Sequence, residues 1–207
     1  MSAKIRVLYH SSIKLEDEIR VYIDPYKIKD VLNDADFIFI THSHYDHYSP
    51  EDIKKIKNEK TLIIAPEKMK SEMEFDNIFY VLPDCEYELN KIKFETVSAY
   101  NITKKFHPKE LGGVGYIINL NGTRYFIAGD TDITEENSKI SCDTAFIPVG
   151  GTYTMNYKEA AKLINKIRPE TAIPTHFGSV AGEMTNGKNF KSLLNKEIKC
   201  EIITEEF

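Results

Sequence analysis

The chain has 207 residues, 42% hydrophobic and 29% charged, which predicts one soluble domain spanning 1–207 with a core of its own. A net charge of −5 gives no global reason to bind nucleic acid, and no apolar stretch is long enough to span a membrane. The three cysteines, Cys85, Cys142 and Cys200, are scattered and lack ligand spacing, and the start lacks a signal-peptide core, so reduced thiols and a cytoplasmic location are expected.

In chain order, Ile5 to Tyr9 reads as a strand that ends at His10, followed by a hairpin partner with its tip near Glu16 to Glu18. Ile19 to Ile23 alternates as a half-buried strand does and ends at Asp24-Pro25, where proline stops the ladder. A short helix is expected over 28–32. The unbroken apolar run Phe37 to Ile40 fits a strand buried on both faces. Ser49-Pro50-Glu51-Asp52 predicts a helix start, with Ser49 as N-cap and two acids near the positive end of the dipole. A strand over 61–65, a second helix from Pro66 to about Glu74, and strands over 78–82 and 87–97, the last turning at Asn90-Lys91, come next. Ser98 to Gly113 is irregular, and a long loop inside a compact domain is usually functional. Asn121-Gly122 turns a hairpin between Val114–Leu120 and Thr123–Ala128. Thr144 to Val149 is a strand ending in Gly150-Gly151. Asn156 and Glu159 form a capping box for a helix that stops at Arg168-Pro169. A strand over 171–174 ends at Thr175-His176, and a helix over 189–194 and a strand over 198–204 close the chain. Strands dominate the first half and mixed units the second, so the fold class is α/β, with layered sheets covered by helices.

The chemistry concentrates in Thr41-His42-Ser43-His44-Tyr45-Asp46-His47, which holds three of the six histidines directly after a strand-like run. Imidazoles and carboxylates suit zinc and its neighbours, and catalytic sites use few protein ligands so that one position stays open. His42 and His44 point to one side of an extended chain, and Asp46 and His47 face a second position. Asp130 follows another predicted strand and can bridge two ions, while His176 follows a third and can complete the second position. Placement of these blocks just past strand ends is where layered α/β proteins gather their sites. Two divalent ions against Asp46, Asp130 and one hydroxide leave a net charge of about +1, which favours a small anionic substrate. Ions of this kind lower the pKa of water towards ~7 and supply a metal-activated hydroxide, so no Ser or Cys nucleophile is needed.

His42-x-His44-x-Asp46-His47, with Asp24, Asp130 and His176 in order, resembles the metallo-β-lactamase superfamily. Ser98 to Asn101, Gly115-Tyr116, Gly129 to Asp132, Pro148 to Met155 and Pro174 to Gly178 look like the branch that includes L-ascorbate-6-phosphate lactonase-like hydrolases. The resemblance implies a four-layer αββα sandwich with a dinuclear site at one edge. It implies His42, His44, Asp46, His47, Asp130 and His176 as ligands, Asp46 as the group orienting the nucleophile, and Asp24 as the support of a ligand imidazole. One departure stands out. The superfamily supplies a further histidine to the first metal where this chain has Asn101, with His107 six residues on. Either Asn101 is a poor ligand, or His107 swings in, or His107 binds substrate.

Other residues carry weaker readings. Lys104, Lys105 and His107 can grip a phosphate, Gly150 and Gly151 can offer N–H groups to an anion, and Tyr153 is a candidate substrate contact. Asp132 is a lesser alternative to Asp130, and His10 is balanced between site wall and plain strand-end residue. The reading reached from the sequence is a metal-dependent hydrolase of a lactone or phosphorylated sugar derivative. Its cofactors are two divalent ions, zinc by default and manganese or iron otherwise. Its rivals are a metal-dependent nuclease or phosphodiesterase and a non-catalytic binding protein on the same scaffold. No membrane or nucleic-acid partner is expected, and a homo-oligomer is compatible with the sequence.

Overall fold

Two sheets form where the sequence alternates or runs apolar. In the first, β1 (Lys4–Tyr9), β2 (Ser12–Glu16), β3 (Arg20–Ile23), β4 (Phe37–Phe39), β5 (Leu62–Pro66) and β6 (Ile78–Val81) pair in sequence order. They are antiparallel as far as β3 and parallel beyond it. The second sheet contains β7 (Glu86–Leu89), β8 (Ile92–Ser98), β9 (Val114–Leu120), β10 (Thr123–Ile127), β11 (Thr144–Pro148), β12 (Thr171–Thr175) and β13 (Lys199–Cys200), also side by side in sequence order. It is antiparallel through β10 and parallel from there. The computed structural model describes residues 3–89 and 91–203.

Period-2 alternation divides the core into layers. Val21, Ile23, Phe37 and Phe39 face the second sheet and pack with Phe94, Val114, Tyr116 and Ile127. Tyr22, Ile38, Ile40 and Ile63 face the other way, onto Ile53 and Ile56 of α1 (Pro50–Ile56). On the outer face of the second sheet, Phe126, Ala145 and Ile147 pack with Ala160, Leu163 and Ile164 of α2 (Tyr157–Ile167) and Phe190 of α3 (Asn186–Ser192). The order of layers is therefore helix, sheet, sheet, helix, as the sequence predicts.

The caps follow the sequence signals. Ser49 accepts from the Asp52 N–H, and Asn156 accepts from Lys158 and Glu159 while Glu159 accepts from the Asn156 N–H. Arg168 ends α2 in a left-handed conformation, φ 50°, just before Pro169. Two expected helices are absent. Residues 28–32 stay irregular because their backbone is bound elsewhere: the Asp52 carboxylate accepts from the Lys27 and Ile28 N–H groups, and the Lys55 carbonyl accepts from Leu32. The helix expected from Pro66 shrinks to a 3₁₀ turn, Glu67–Met69, because β5 runs on through Pro66. The last helix starts three residues earlier than expected, at Asn186, and the last strand is short; Asn90 of the expected turn and Thr204 of the expected strand lie outside the described residues.

Among the described residues no helix is long and apolar enough to cross a membrane. All three cysteines are free thiols. Burial pushes the Cys142 thiol up to about 12 and the Cys200 thiol up to about 11. A raised thiol pKa means less thiolate at any given pH, so both are expected to react with iodoacetamide at pH 8 at least about 100-fold more slowly than a free cysteine. Mass spectrometry of a labelling time course checks this.

Candidate metal centre

The heptapeptide begins where β4 ends and is pinned to the second sheet. The Tyr116 hydroxyl donates to the Ile40 carbonyl at 2.7 Å, and the Val114 N–H donates to the Thr41 carbonyl at 3.0 Å. The other site residues arrive through sharp turns at strand ends. His10 after β1, Asp24 after β3 and His176 after β12 have φ of 53°, 46° and 55°, and His107 in the long loop has φ 55°. Left-handed backbone at a non-glycine residue is costly, and its recurrence at four site residues is where functional strain is expected.

Asp24 is buried and organises the imidazoles. Its Oδ1 accepts from the Thr41 N–H at 2.8 Å, and its Oδ2 accepts from the Thr41 hydroxyl at 2.7 Å and from His47 Nδ1 at 2.7 Å. Burial drives its carboxyl upward, countered by His47 and by the Thr41 bonds. Because the Thr41 hydroxyl donates to Asp24, its oxygen accepts from His42 Nδ1 at 2.9 Å. His107 Nδ1 donates to the Tyr153 carbonyl at 3.2 Å. These bonds leave Nε2 of His42, His47 and His107 as lone pairs facing the centre.

The lone pairs converge. His44 Nδ1 lies 3.2 Å from His42 Nε2 and 2.9 Å from His107 Nε2. Asp130 sits beside them: its Oδ2 is 3.3 Å from His107 Nε2 and 3.2 Å from His176 Nε2, and its Oδ1 is 3.4 Å from His47 Nε2. Asp46 Oδ2 is 3.7 Å from Nε2 of both His47 and His176. Ligand atoms about 2.0–2.1 Å from a tetrahedral zinc stand about 3.3 Å apart, so these separations fit ions between the groups. His47 Nε2, His10 Nε2 and Asp130 Oδ1 are buried without a hydrogen-bond partner, and a cation bound between His47 and Asp130 would satisfy two of the three. Residues able to hold a metal therefore include His42, His44 and His107 on one side, and His42, His47 and Asp130, or His10, Asp46 and His176, on the other.

Protonation agrees with that use. Burial holds His42 and His107 below the usual histidine range and brings His10 down to about 4. Burial alone would raise Asp130, but His176 and His47 hold its carboxyl well below the ordinary value; Asp46 is lowered in the same sense by His10 and His47. His47 goes the other way. Burial lowers it, but Asp130 and Asp24 outweigh that and draw a proton onto the ring. A divalent ion held by His47 and Asp130 would take the place of that proton.

Of the two residues weighed at this place, His107 lies with His42 and His44, while Asn101 ties the loop together through its amide nitrogen. Its Nδ2 donates to the Phe106 carbonyl at 2.8 Å and the Tyr153 carbonyl at 2.7 Å, and its N–H donates to the His107 carbonyl at 2.9 Å. Removing that amide in Asn101→Ala is expected to weaken the metal position beside His107 by about 10–100-fold, with the other position less affected, as read by calorimetric metal titration.

Several expected contacts fall elsewhere. The Lys104 ammonium is engaged by Asp132 and lies 3.7 Å from Glu159, and neither Lys104 nor Lys105 lines the cavities over the centre. Asp132 is no alternative to Asp130, because its Oδ2 accepts from the Ile102 N–H and shapes the loop. The Gly151 N–H is already given to the Met155 carbonyl, so it does not grip an anion. Gly150 backs His176: a Cβ there would lie 2.2 Å from the His176 carbonyl oxygen. Tyr153 does line the cavity at the centre. His10 is the residue given too little weight. It is 5% exposed, with Nε2 3.5 Å from Asp46 Oδ2 and its ring 3.9 Å from that of His176. Its signal was the one it shared with Asp24 and His176, a polar residue directly after a strand.

A family model described as the β-lactamase superfamily domain matches residues 4–176. The chain belongs to the metallo-β-lactamase superfamily. Within it, the chain is 26% identical to a UPF0173 metal-dependent hydrolase of Thermococcus onnurineus, over 97% of this chain and 95% of that one. A crystal structure from Parabacteroides distasonis superposes with a TM-score of 0.84 at 29% identity, covering 98% of this chain and 93% of the other. Igni18, a metallo hydrolase from Ignicoccus hospitalis, shares the fold with a TM-score of 0.80 at 21% identity over the whole of both chains. Fold, donor set and relatives agree on the class, a metal-dependent hydrolase of this superfamily.

Proposed function

We propose that the chain hydrolyses a small lactone or ester, whose carbonyl carbon is the electrophile, with two divalent ions as cofactors. His42, His44, His107 and Asp130 hold one ion; Asp46, His47, His176 and Asp130 hold the other. The observation that carries this reading is the convergence of three imidazole nitrogens, those of His42, His44 and His107, at 2.9 and 3.2 Å beside the Asp130 carboxylate. Such ions polarise a carbonyl oxygen and lower the pKa of water, which supplies the nucleophile. Asp46, ionised and at the edge of the cavity over the centre, orients the attacking water and receives its proton. Asp24 and Thr41 keep the imidazoles in the tautomer that leaves Nε2 free. Zinc suits the all-nitrogen-and-oxygen donor set and the spacing, and manganese or iron can replace it. A phosphorylated sugar derivative, the other substrate expected from the sequence, needs a free cation for its phosphate. Lys104, engaged by Asp132, does not offer that cation, and Lys68 lines only the adjoining cavity over His42 and His44; the lactone or ester is favoured by the apolar walls beside Asp46 and His176.

The test is elemental analysis of the purified protein coupled to a panel of lactones, esters and phosphomonoesters. About two ions per chain are expected, with hydrolysis lost on chelation and restored by zinc or manganese. Asp46→Ala and His44→Ala should each lower kcat by about 10²-fold. Hydrolysis that survives complete metal removal, or runs at the parent rate in both variants, would sink this reading.

A further inference from the structure

We propose that the substrate carries an uncharged apolar group, aryl or short alkyl, beside the hydrolysed bond, and that Tyr45, Phe106, Tyr153 and Val180 receive it. This rests on the lactone or ester hydrolysis proposed above and narrows its substrate class. One cavity of about 290 Å³ is lined both by donors, Asp46, Asp130 and His176 among them, and by these four side chains. That is room enough for a small molecule or for one group of a larger one. The Phe106 and Tyr153 rings meet edge to face, 4.8 Å between centroids and 89° between planes. Tyr45 packs edge to face on Tyr26, 5.9 Å between centroids, which gives its ring a neighbour to rest on. Tyr45 is nevertheless 64% exposed and Phe106 46% exposed. Large aromatic surface left open beside a reactive centre is surface that gains from a ligand covering it.

Charge points the same way. No lysine or arginine lines this cavity among the described residues. A phosphate or carboxylate lodged against the rings would lose water and gain no partner there, whereas an aryl group would lose only unfavourable contact with water. The walls are also set in place. The same Asn101 amide that fixes the His107 loop binds the carbonyls of Phe106 and Tyr153, so ring positions and donor positions are determined together. That coupling makes this wall selective for shape next to the bond being broken.

The experiment compares γ-phenyl-γ-butyrolactone, unsubstituted γ-butyrolactone and a γ-carboxylated butyrolactone on the zinc-loaded full chain and on its Phe106→Ala and Tyr45→Ala variants. Both positions are substantially exposed, so the variants should fold. The phenyl lactone is expected to exceed the carboxylated one in kcat/KM by at least about tenfold, and Phe106→Ala to shrink the ratio of phenyl to unsubstituted lactone by about tenfold. Intrinsic reactivity cancels in that comparison. Calorimetry with phenylacetate and acetate reads the wall without turnover: phenylacetate should bind about tenfold more tightly, with the gap narrowing in Phe106→Ala. Equal handling of the three lactones, or preference for the carboxylated one, overturns the proposal. Preferred phenylacetate binding with no lactone or ester hydrolysed would support the apolar mouth and sink the hydrolytic reading beneath it.

Discussion

Asp130→Ala is expected to empty both metal positions and to lower kcat by about 10³-fold or more. Among the described residues no other carboxylate in the centre reaches so many imidazoles: its oxygens lie 3.2–3.4 Å from Nε2 of His107, His47 and His176 and 3.9 Å from that of His42, against the three that Asp46 reaches, and it is 4% exposed. Under the assignment proposed above both ions would use it, so its loss would not be confined to one of them. Metal content per chain, measured after gel filtration in metal-free buffer, should fall from about two to below one. The metal-free protein offers a second readout. Asp130 has its carboxyl held well below the ordinary value, so its stabilising contribution is present above the unfolded value of about 4 and is lost as pH falls through the lower folded value. In the variant this part of the acid-side dependence disappears from denaturation curves measured against pH. A variant that kept two ions and parent activity would remove Asp130 from the centre.

Gly150→Ala adds one methyl group and is expected to cost about 10²-fold or more in kcat/KM. The added Cβ would sit 2.2 Å from the His176 carbonyl oxygen, 3.3 Å from its Nδ1 and 3.4 Å from the Ala181 Cβ. The nearest obstruction is backbone, so the Thr175–His176 turn must shift, and a displacement of about 1 Å at a catalytic group costs about 10²-fold. Overpacking of this kind destabilises by about 1–3 kcal/mol, or a Tm lower by about 2–10 °C for a chain of this size. The contrasting variant is Gly122→Ala in the β9–β10 turn. There a Cβ meets nothing within 4 Å but φ is +82°, so stability should drop by about 1–2 kcal/mol with activity retained. Activity in Gly150→Ala equal to that in Gly122→Ala would refute the backing role of Gly150.

The legible part of the fold was the part with a local cause. Phe37 to Ile40 read as a doubly buried strand because one face meets the other sheet and the opposite face meets α1. The Ser49 N-cap, the Asn156–Glu159 capping box and the Asn121-Gly122 turn were legible because their partners lie within a few residues. The helix expected over 28–32 failed for the opposite reason. The bond such a helix would make from the Leu32 N–H to the Ile28 carbonyl is lost to Lys55, whose carbonyl accepts from Leu32 and whose ammonium donates to Ile28; Lys55 is more than twenty residues away in sequence and recognisable only once α1 packs on the sheet. Lys104 looked free for the same reason. Its partner Asp132 comes from the turn after β10, and no local pattern announces that pairing.

By itself the sequence determined the donor types, their concentration in His42 to His47, the position of Asp24, Asp130 and His176 at strand ends, and the layered α/β class. Those properties depend on residue chemistry and on period-2 or 3.6 patterns, which are local. Only the tertiary structure decided which donors meet. It chose His107 over Asn101 through a carbonyl from Tyr153, brought His10 beside His176 across the two sheets, and turned Gly150 from an anion grip into the backing of a ligand loop. Each of those outcomes depends on the pairing of strands distant in sequence and on left-handed turns that aim a side chain, and neither leaves a trace in spacing alone.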